Sequence, residues 1–157
     1  AMYNAGYTMN NVNPDYVVVG ESISYSYEKI EKAINLVLKG AKLIGTNPDM
    51  TGPGENGLVP ATKALIAPIE MATGKNAYFV GKPNPLMMRI ALKMLGSNRE
   101  ESIIIGDRMD TDIIAGIESE IDTCLVLSGI SNKNTADESP YKPHFTLDGV
   151  HDIVKDI

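Results

Sequence analysis

Tryptophan is absent from this sequence, phenylalanine occurs twice, and there is one cysteine, Cys124. A single cysteine excludes an internal disulfide, and with it a disulfide-stapled secreted scaffold, so the cytoplasm is the expected compartment. Cys124 stands in the apolar run Thr123-Cys124-Leu125-Val126-Leu127, where no charged residue adjoins it to lower its pKa; it reads as a buried structural thiol, not a nucleophile. Positive charge is also short. The 14 Lys and Arg against 20 Asp and Glu leave a net charge of −6, which argues against nucleic acid or an anionic membrane as the main partner. No apolar run approaches the roughly 18 residues of a membrane span, and the opening residues do not read as a basic-plus-apolar signal segment. Histidine is limited to His144 and His151, which have no ligand partner nearby in sequence and read as surface or packing residues. There are no internal repeats and no low-complexity tract.

What is present suffices for a packed core. Hydrophobic residues make up 43% of the 157 positions and charged residues 22%, which suits one ordinary domain or two small ones. Ala1-Met2 and the polar, turn-rich residues after it read as the tail of a preceding segment, as if the start were cut or assigned late. Apolar runs at 15–19, 42–45 and 77–80 predict strands; the first is near-continuous and reads as buried. Between them lie helical patterns. The first is capped by Ser24 or Ser26 and stopped by Gly40, and the second covers Thr62 to Met71 and is stopped by Gly74. The Gly- and Pro-rich segment 50–60 reads as a long functional or mobile loop. Pro83 and Pro85 suit the start of a helix reaching Leu95, before Gly96. Further on, the pattern gives a helix to about Glu118, a strand through Val126, a polar loop through Lys142, a short strand at 144–147 and a last helix. This alternation predicts βαβ units and a parallel sheet with helices on both faces. The methionines, including Met87, Met88 and Met94, read as helix-face packing.

The chemistry concentrates in Glu101 to Ala115, ESIIIGDRMDTDIIA. Ile103-Ile104-Ile105 is β-branched and short, a buried strand ended by Gly106. Asp107 then falls at the carboxyl end of a parallel strand, where open α/β sheets bind ligands. Asp110 or Thr111 is placed to cap the next helix, and Asp112 falls in its first turn. Three carboxylates within six residues suit a hard cation such as Mg²⁺. Read by itself, the stretch is equally a turn whose acids only cap a helix. Lys82 follows another strand through Gly81 and precedes a proline-fixed helix start. By itself it is a surface lysine; beside an acid-bound cation it makes a site for a phosphoryl group.

Longer motifs carry a family resemblance. GTNPD at 45–49, GLVPATKAL at 57–65, YFVGKPNPLMMRIAL at 78–92, IIIGDRMDTDIIAGI at 103–117 and DTCLVLSGI at 122–130 resemble the NagD-like phosphatases of the haloacid dehalogenase (HAD) superfamily. The similarity begins near Gly6 and includes PDYVVVGE at 14–21. The resemblance implies an α/β fold: a Rossmann-like parallel-sheet core, here its C-terminal half at residues 79–157, plus an α/β cap domain at 1–78. It implies a Mg²⁺-dependent phosphatase acting on small phosphate esters such as nucleotides or sugar phosphates through an aspartyl-phosphate. Position by position, Lys82 matches the lysine that steadies nucleophile and phosphoryl group, and Asp107 the acid that binds Mg²⁺. Asp112 matches a second acid supporting the metal shell or the lysine. The loop carrying Thr46, Asn47 and Asp49 would face the active site and help select the leaving group.

The sequence departs from that pattern in one respect. The family's nucleophile and general acid/base lie in a strand ending Asp-x-Asp-Gly, which occurs nowhere in these 157 residues. Asp110-Thr111-Asp112 has Asp-x-Asp spacing but enters a helix, and in Phe145-Thr146-Leu147-Asp148-Gly149 a threonine without an adjacent base takes the nucleophile's place. The chain is therefore expected to be inactive alone and to leave a sheet edge open, which a homodimer or strand exchange would cover. Two other readings fit: a non-catalytic Mg²⁺- or phosphate-binding module, and an interaction protein using the cap surface.

Overall fold

The computed structural model describes residues 2–155 as two compact units, one ending at Val80 and the next beginning at Gly81. In the first, β1 (Tyr16–Val19), β2 (Lys42–Gly45) and β5 (Tyr78–Phe79) form a parallel sheet in the order β1-β2-β5. Helix α1 (Tyr27–Leu38) connects β1 to β2, and α2 (Thr62–Thr73) leads into β5. Ser26 caps α1 by accepting a hydrogen bond from the Lys29 N–H, and the glycine stops fall as expected, with Gly74 left-handed after α2. Val37, Leu43, Ile66 and Ile69 form the core, joined by Val17, Val19, Ile34 and Phe79.

Helices on both faces were expected, but α1 and α2 share one core and one sheet face. The strand order explains it: the sheet grows in one direction, and successive right-handed crossovers then fall on the same side. The opposite face keeps Tyr16, Val18 and Tyr78 about half exposed, so β1 is not the buried strand its apolar run suggested.

The segment expected as a loop is a hairpin, β3 (Thr51–Gly54) paired antiparallel with β4 (Gly57–Pro60) around a two-residue turn. Both prolines are tolerated because of register. With Gly54 and Gly57 closing the turn as the hydrogen-bonded pair, Pro53↔Leu58 and Thr51↔Pro60 fall on the alternate, non-bonded pairs.

The second unit holds α3 (Pro85–Leu95), β6 (Ile103–Gly106), α4 (Ile114–Glu118), β7 (Asp122–Val126), α5 (Lys133–Glu138) and β8 (Phe145–Leu147), the strands parallel in the order β6-β7-β8. Again the order runs one way. Ile104 packs with Met88, Leu92, Ala115 and Ile121, and Leu125 with Met109, Ile113 and Ala136, so α3, α4 and α5 lie on one face. Strand β6 is an edge, pairing only with β7 among the described residues, and Ile103 and Ile105 are 46% and 41% exposed. The expectation of a buried strand is thus corrected: the apolar run specifies a strand, not its number of neighbours. Cys124 is buried on β7, and burial pushes its thiol pKa up. Helix α5 lies in the stretch expected as polar loop; Asn132 caps it and Lys142 donates to the Ala136 and Asp137 carbonyls at its end. Among the described residues no helix is long and apolar enough to cross a membrane.

Candidate active site

Strand β6 stops at Gly106 and hands the chain to a wide turn, Met109–Ile113, in which the Ile113 N–H donates back five residues to the Arg108 carbonyl. Such wide turns recur at functional sites because they re-aim side chains without breaking a helix. Here the three acids separate. Asp107 Oδ2 accepts from the Ile130 N–H at 2.9 Å, and the Asp107 carbonyl accepts from the Ser131 N–H at 2.9 Å. Asp110 faces Arg108, whose Nε and Nη2 donate to its two oxygens at 2.9 and 2.6 Å. Those hydrogen bonds lower the Asp110 pKa. Asp112, almost fully buried, accepts from the Arg108 N–H at 3.1 Å through Oδ2 and from Lys82 Nζ at 2.5 Å through Oδ1.

This corrects two expectations. Neither Asp110 nor Thr111 caps the helix; Asp112 reaches back to the Arg108 amide and closes the turn from inside it. Nor do the acids form one cation cage, for among the described residues no group of three or more His, Cys, Asp or Glu could hold a metal ion. Mg²⁺ does not require one, because it is commonly held by one or two carboxylates with water and substrate oxygens completing its shell. Asp107 fits that part: Oδ2 is fixed by the Ile130 amide, while Oδ1 makes no hydrogen bond among the described residues.

Lys82 is delivered by the turn before α3. The Asn84 N–H donates to the Gly81 carbonyl, and the Asn84 side chain caps α3 by accepting from the Leu86 N–H at 2.9 Å, with Pro85 as first helical residue. The ammonium, partly exposed, therefore meets the buried Asp112 carboxylate across thirty residues of sequence. The ion pair fixes Lys82 against the turn that follows Asp107, and a fixed cation is suited to phosphoryl oxygens.

The sequence reading missed the loop 129–131, which grips Asp107, and Ser131, whose Oγ accepts from the Met109 N–H at 3.1 Å. A signal existed. Ser128-Gly129 follows the buried strand β7, the immediate neighbour of β6, so its loop leaves the same sheet rim as Asp107. In the other unit, Thr46, Asn47 and Asp49 follow β2. Thr46 Oγ1 pairs with Thr62 Oγ1 at 3.0 Å, Asn47 Nδ2 donates to Glu21 Oε1 at 3.1 Å, and the Asp49 N–H donates to Asn47 Oδ1 at 3.2 Å. His144 is structural: its Nδ1 accepts from the Thr123 N–H at 3.1 Å, tying the start of β8 to β7.

The HAD-hydrolase-like family model matches residues 79–153, the stretch that carries Lys82, Asp107 and Asp112. Those residues are a HAD-like hydrolase domain, and the chain is a homologue of the NagD-like phosphatases. It is 46% identical over 153 residues to the dihydroxyacetone phosphatase of Corynebacterium glutamicum, covering 98% of this chain and 56% of that protein. It is 42% identical over 152 residues to the ribonucleotide monophosphatase NagD of Escherichia coli, covering 97% and 60%. Among solved structures, a 4-nitrophenylphosphatase from Thermotoga maritima superposes with a TM-score of 0.91 at 32% identity, over 98% of this chain and 59% of that one. The chain thus spans somewhat under two thirds of the length of these relatives.

Proposed function

We propose that this chain supplies the cation- and phosphoryl-holding part of a Mg²⁺-dependent phosphomonoester hydrolase that works through an aspartyl-phosphate. The observation that carries the reading is the Lys82–Asp112 pair, which fixes an ammonium among the elements that present Asp107. Asp107 is the direct Mg²⁺ ligand through its free oxygen. Asp112, with both oxygens engaged, belongs to that metal and lysine cluster by holding Lys82 and the 108–112 turn. Mg²⁺, when bound, supplies positive charge against the phosphoryl oxygens as negative charge shifts during transfer. Lys82 adds a second fixed cation and orients the phosphoryl group. The nucleophilic aspartate is not among these 157 residues, which contain no Asp-x-Asp-Gly.

In this reading residues 1–78 act as cap and 79–157 as part of the catalytic core, with Thr46, Asn47 and Asp49 selecting the leaving group. Small phosphorylated metabolites are the substrate class, in keeping with relatives named for dihydroxyacetone phosphate and ribonucleotide monophosphates. The cytoplasm is the proposed compartment, and self-association through the open β6 edge the proposed assembly. The missing Asp-x-Asp-Gly favours one alternative, a module that binds Mg²⁺ and phosphate without turnover.

The test is calorimetric titration of the chain with MgCl₂, alone and with inorganic phosphate, beside a p-nitrophenyl phosphate assay. Expected are Mg²⁺ binding that Asp107→Asn removes, phosphate binding that Lys82→Met weakens, and negligible turnover. Absence of Asp107-dependent binding would overturn the metal assignment. Robust turnover abolished by Asp107→Ala would overturn the placement of the nucleophile. Turnover by a longer product of the same reading frame, with an upstream Asp-x-Asp-Gly, separates the phosphatase from the binding module.

A further inference from the structure

We propose that Gly129 is a positioning residue: its missing side chain is the seat of the Asp107 carboxylate. The consequence for Mg²⁺ rests on the reading of Asp107 as its ligand; the seat itself does not. Gly129 is exposed and its φ lies outside the left-handed region, so neither burial nor backbone conformation demands glycine there. Space does. A Cβ built at position 129 would overlap Asp107 Oδ2, Cβ and Cγ, and these are the three nearest atoms it would meet. The next two residues complete the grip, with the Ile130 N–H donating to Oδ2 and the Ser131 N–H donating to the Asp107 carbonyl. The loop therefore immobilises one carboxylate oxygen against backbone and leaves Oδ1 without a hydrogen bond among the described residues. Gly106 does the same for the companion acid, since a Cβ there would overlap Asp112 Cβ, Cγ and Oδ2. A carboxylate swung off its seat keeps its charge but loses its fixed direction, and outer partners of this kind set metal affinity by roughly 10- to 100-fold.

The experiment has two arms on the full chain. The first is metal-free: melting temperatures of the wild type, Gly129→Ala, Asp107→Gly and the double variant. If the overlap with Asp107 is the cause, Gly129→Ala lowers the melting temperature in the wild type and much less in the Asp107→Gly background. An equal loss in both backgrounds overturns the seat. This arm also decides the matter should Gly129→Ala alone fail to fold, because the double variant then recovers or does not. The second arm titrates MgCl₂ into wild type, Gly129→Ala and Gly52→Ala, the last a control where a Cβ meets nothing within 4 Å. Expected is a roughly 10- to 100-fold weakening for Gly129→Ala at unchanged circular dichroism, and none for the control. Wild-type affinity in Gly129→Ala overturns the positioning role. If the wild type itself shows no Asp107-dependent binding, the metal assignment falls and the first arm alone decides the seat.

Discussion

Asp112 does two jobs with one carboxylate, and they can be separated. Oδ2 satisfies a backbone donor at the head of the turn, and Oδ1 holds Lys82. Asp112→Ala removes both and should cost about 1–3 kcal/mol, chiefly for the orphaned Arg108 amide. The ion-pair part is small because the Lys82 side chain is 40% exposed and solvent screens its charge. Asp112→Asn keeps an acceptor for the amide and should recover most of the stability, yet it leaves Lys82 without a counter-charge. Urea unfolding followed by phosphate titration checks this. Asp112→Asn should unfold near wild type but bind phosphate more weakly, and equal phosphate binding by wild type and Asp112→Asn would remove the lysine-holding role.

At the scale of elements, each functional side chain stands where a regular element stops. Lys82 precedes α3, whose start is set by the Asn84 side chain on the Leu86 amide and by Pro85. Asn84→Ala should cost about 0.5–2 kcal/mol by denaturant unfolding, the range for losing an N-cap, and should loosen the Lys82 turn with it. A variant as stable as wild type would show that Pro85 alone sets the start. The same logic explains what could be read in advance. Apolar runs ended by glycine announced β1, β2, β5 and β6 and put Asp107 at a strand end, because strand propensity and turn chemistry are local. Three things were not local. The pairing of Lys82 with Asp112 and of Asp107 with the 129–131 loop depends on which strands become neighbours. Helix α5 buries only Ala136, so it left no apolar period to detect. The hairpin at 51–60 hid because its register lets prolines sit where no donor is needed.

For the whole molecule, the open edge of β6 has the most consequence. Its outward face carries Ile103 and Ile105, Phe145 on β8 is 53% exposed, and the strand has no lysine, proline or bulge to discourage pairing. Protected edges use just those devices, and an unguarded apolar edge recruits another strand. The chain should therefore associate with itself as concentration rises, through β6 against β6 of a second copy. Ile105→Lys sets a charge on that edge outside the Ile104 core, so it should leave the circular dichroism spectrum intact and shift the equilibrium toward monomer. Sedimentation velocity over a concentration series reads both outcomes. A wild type that sediments as monomer throughout would remove the association. An Ile105→Lys variant that associates as strongly as wild type would move the contact away from β6, leaving the half-exposed Tyr16, Val18 and Tyr78 face of the first unit as the surface to mutate next.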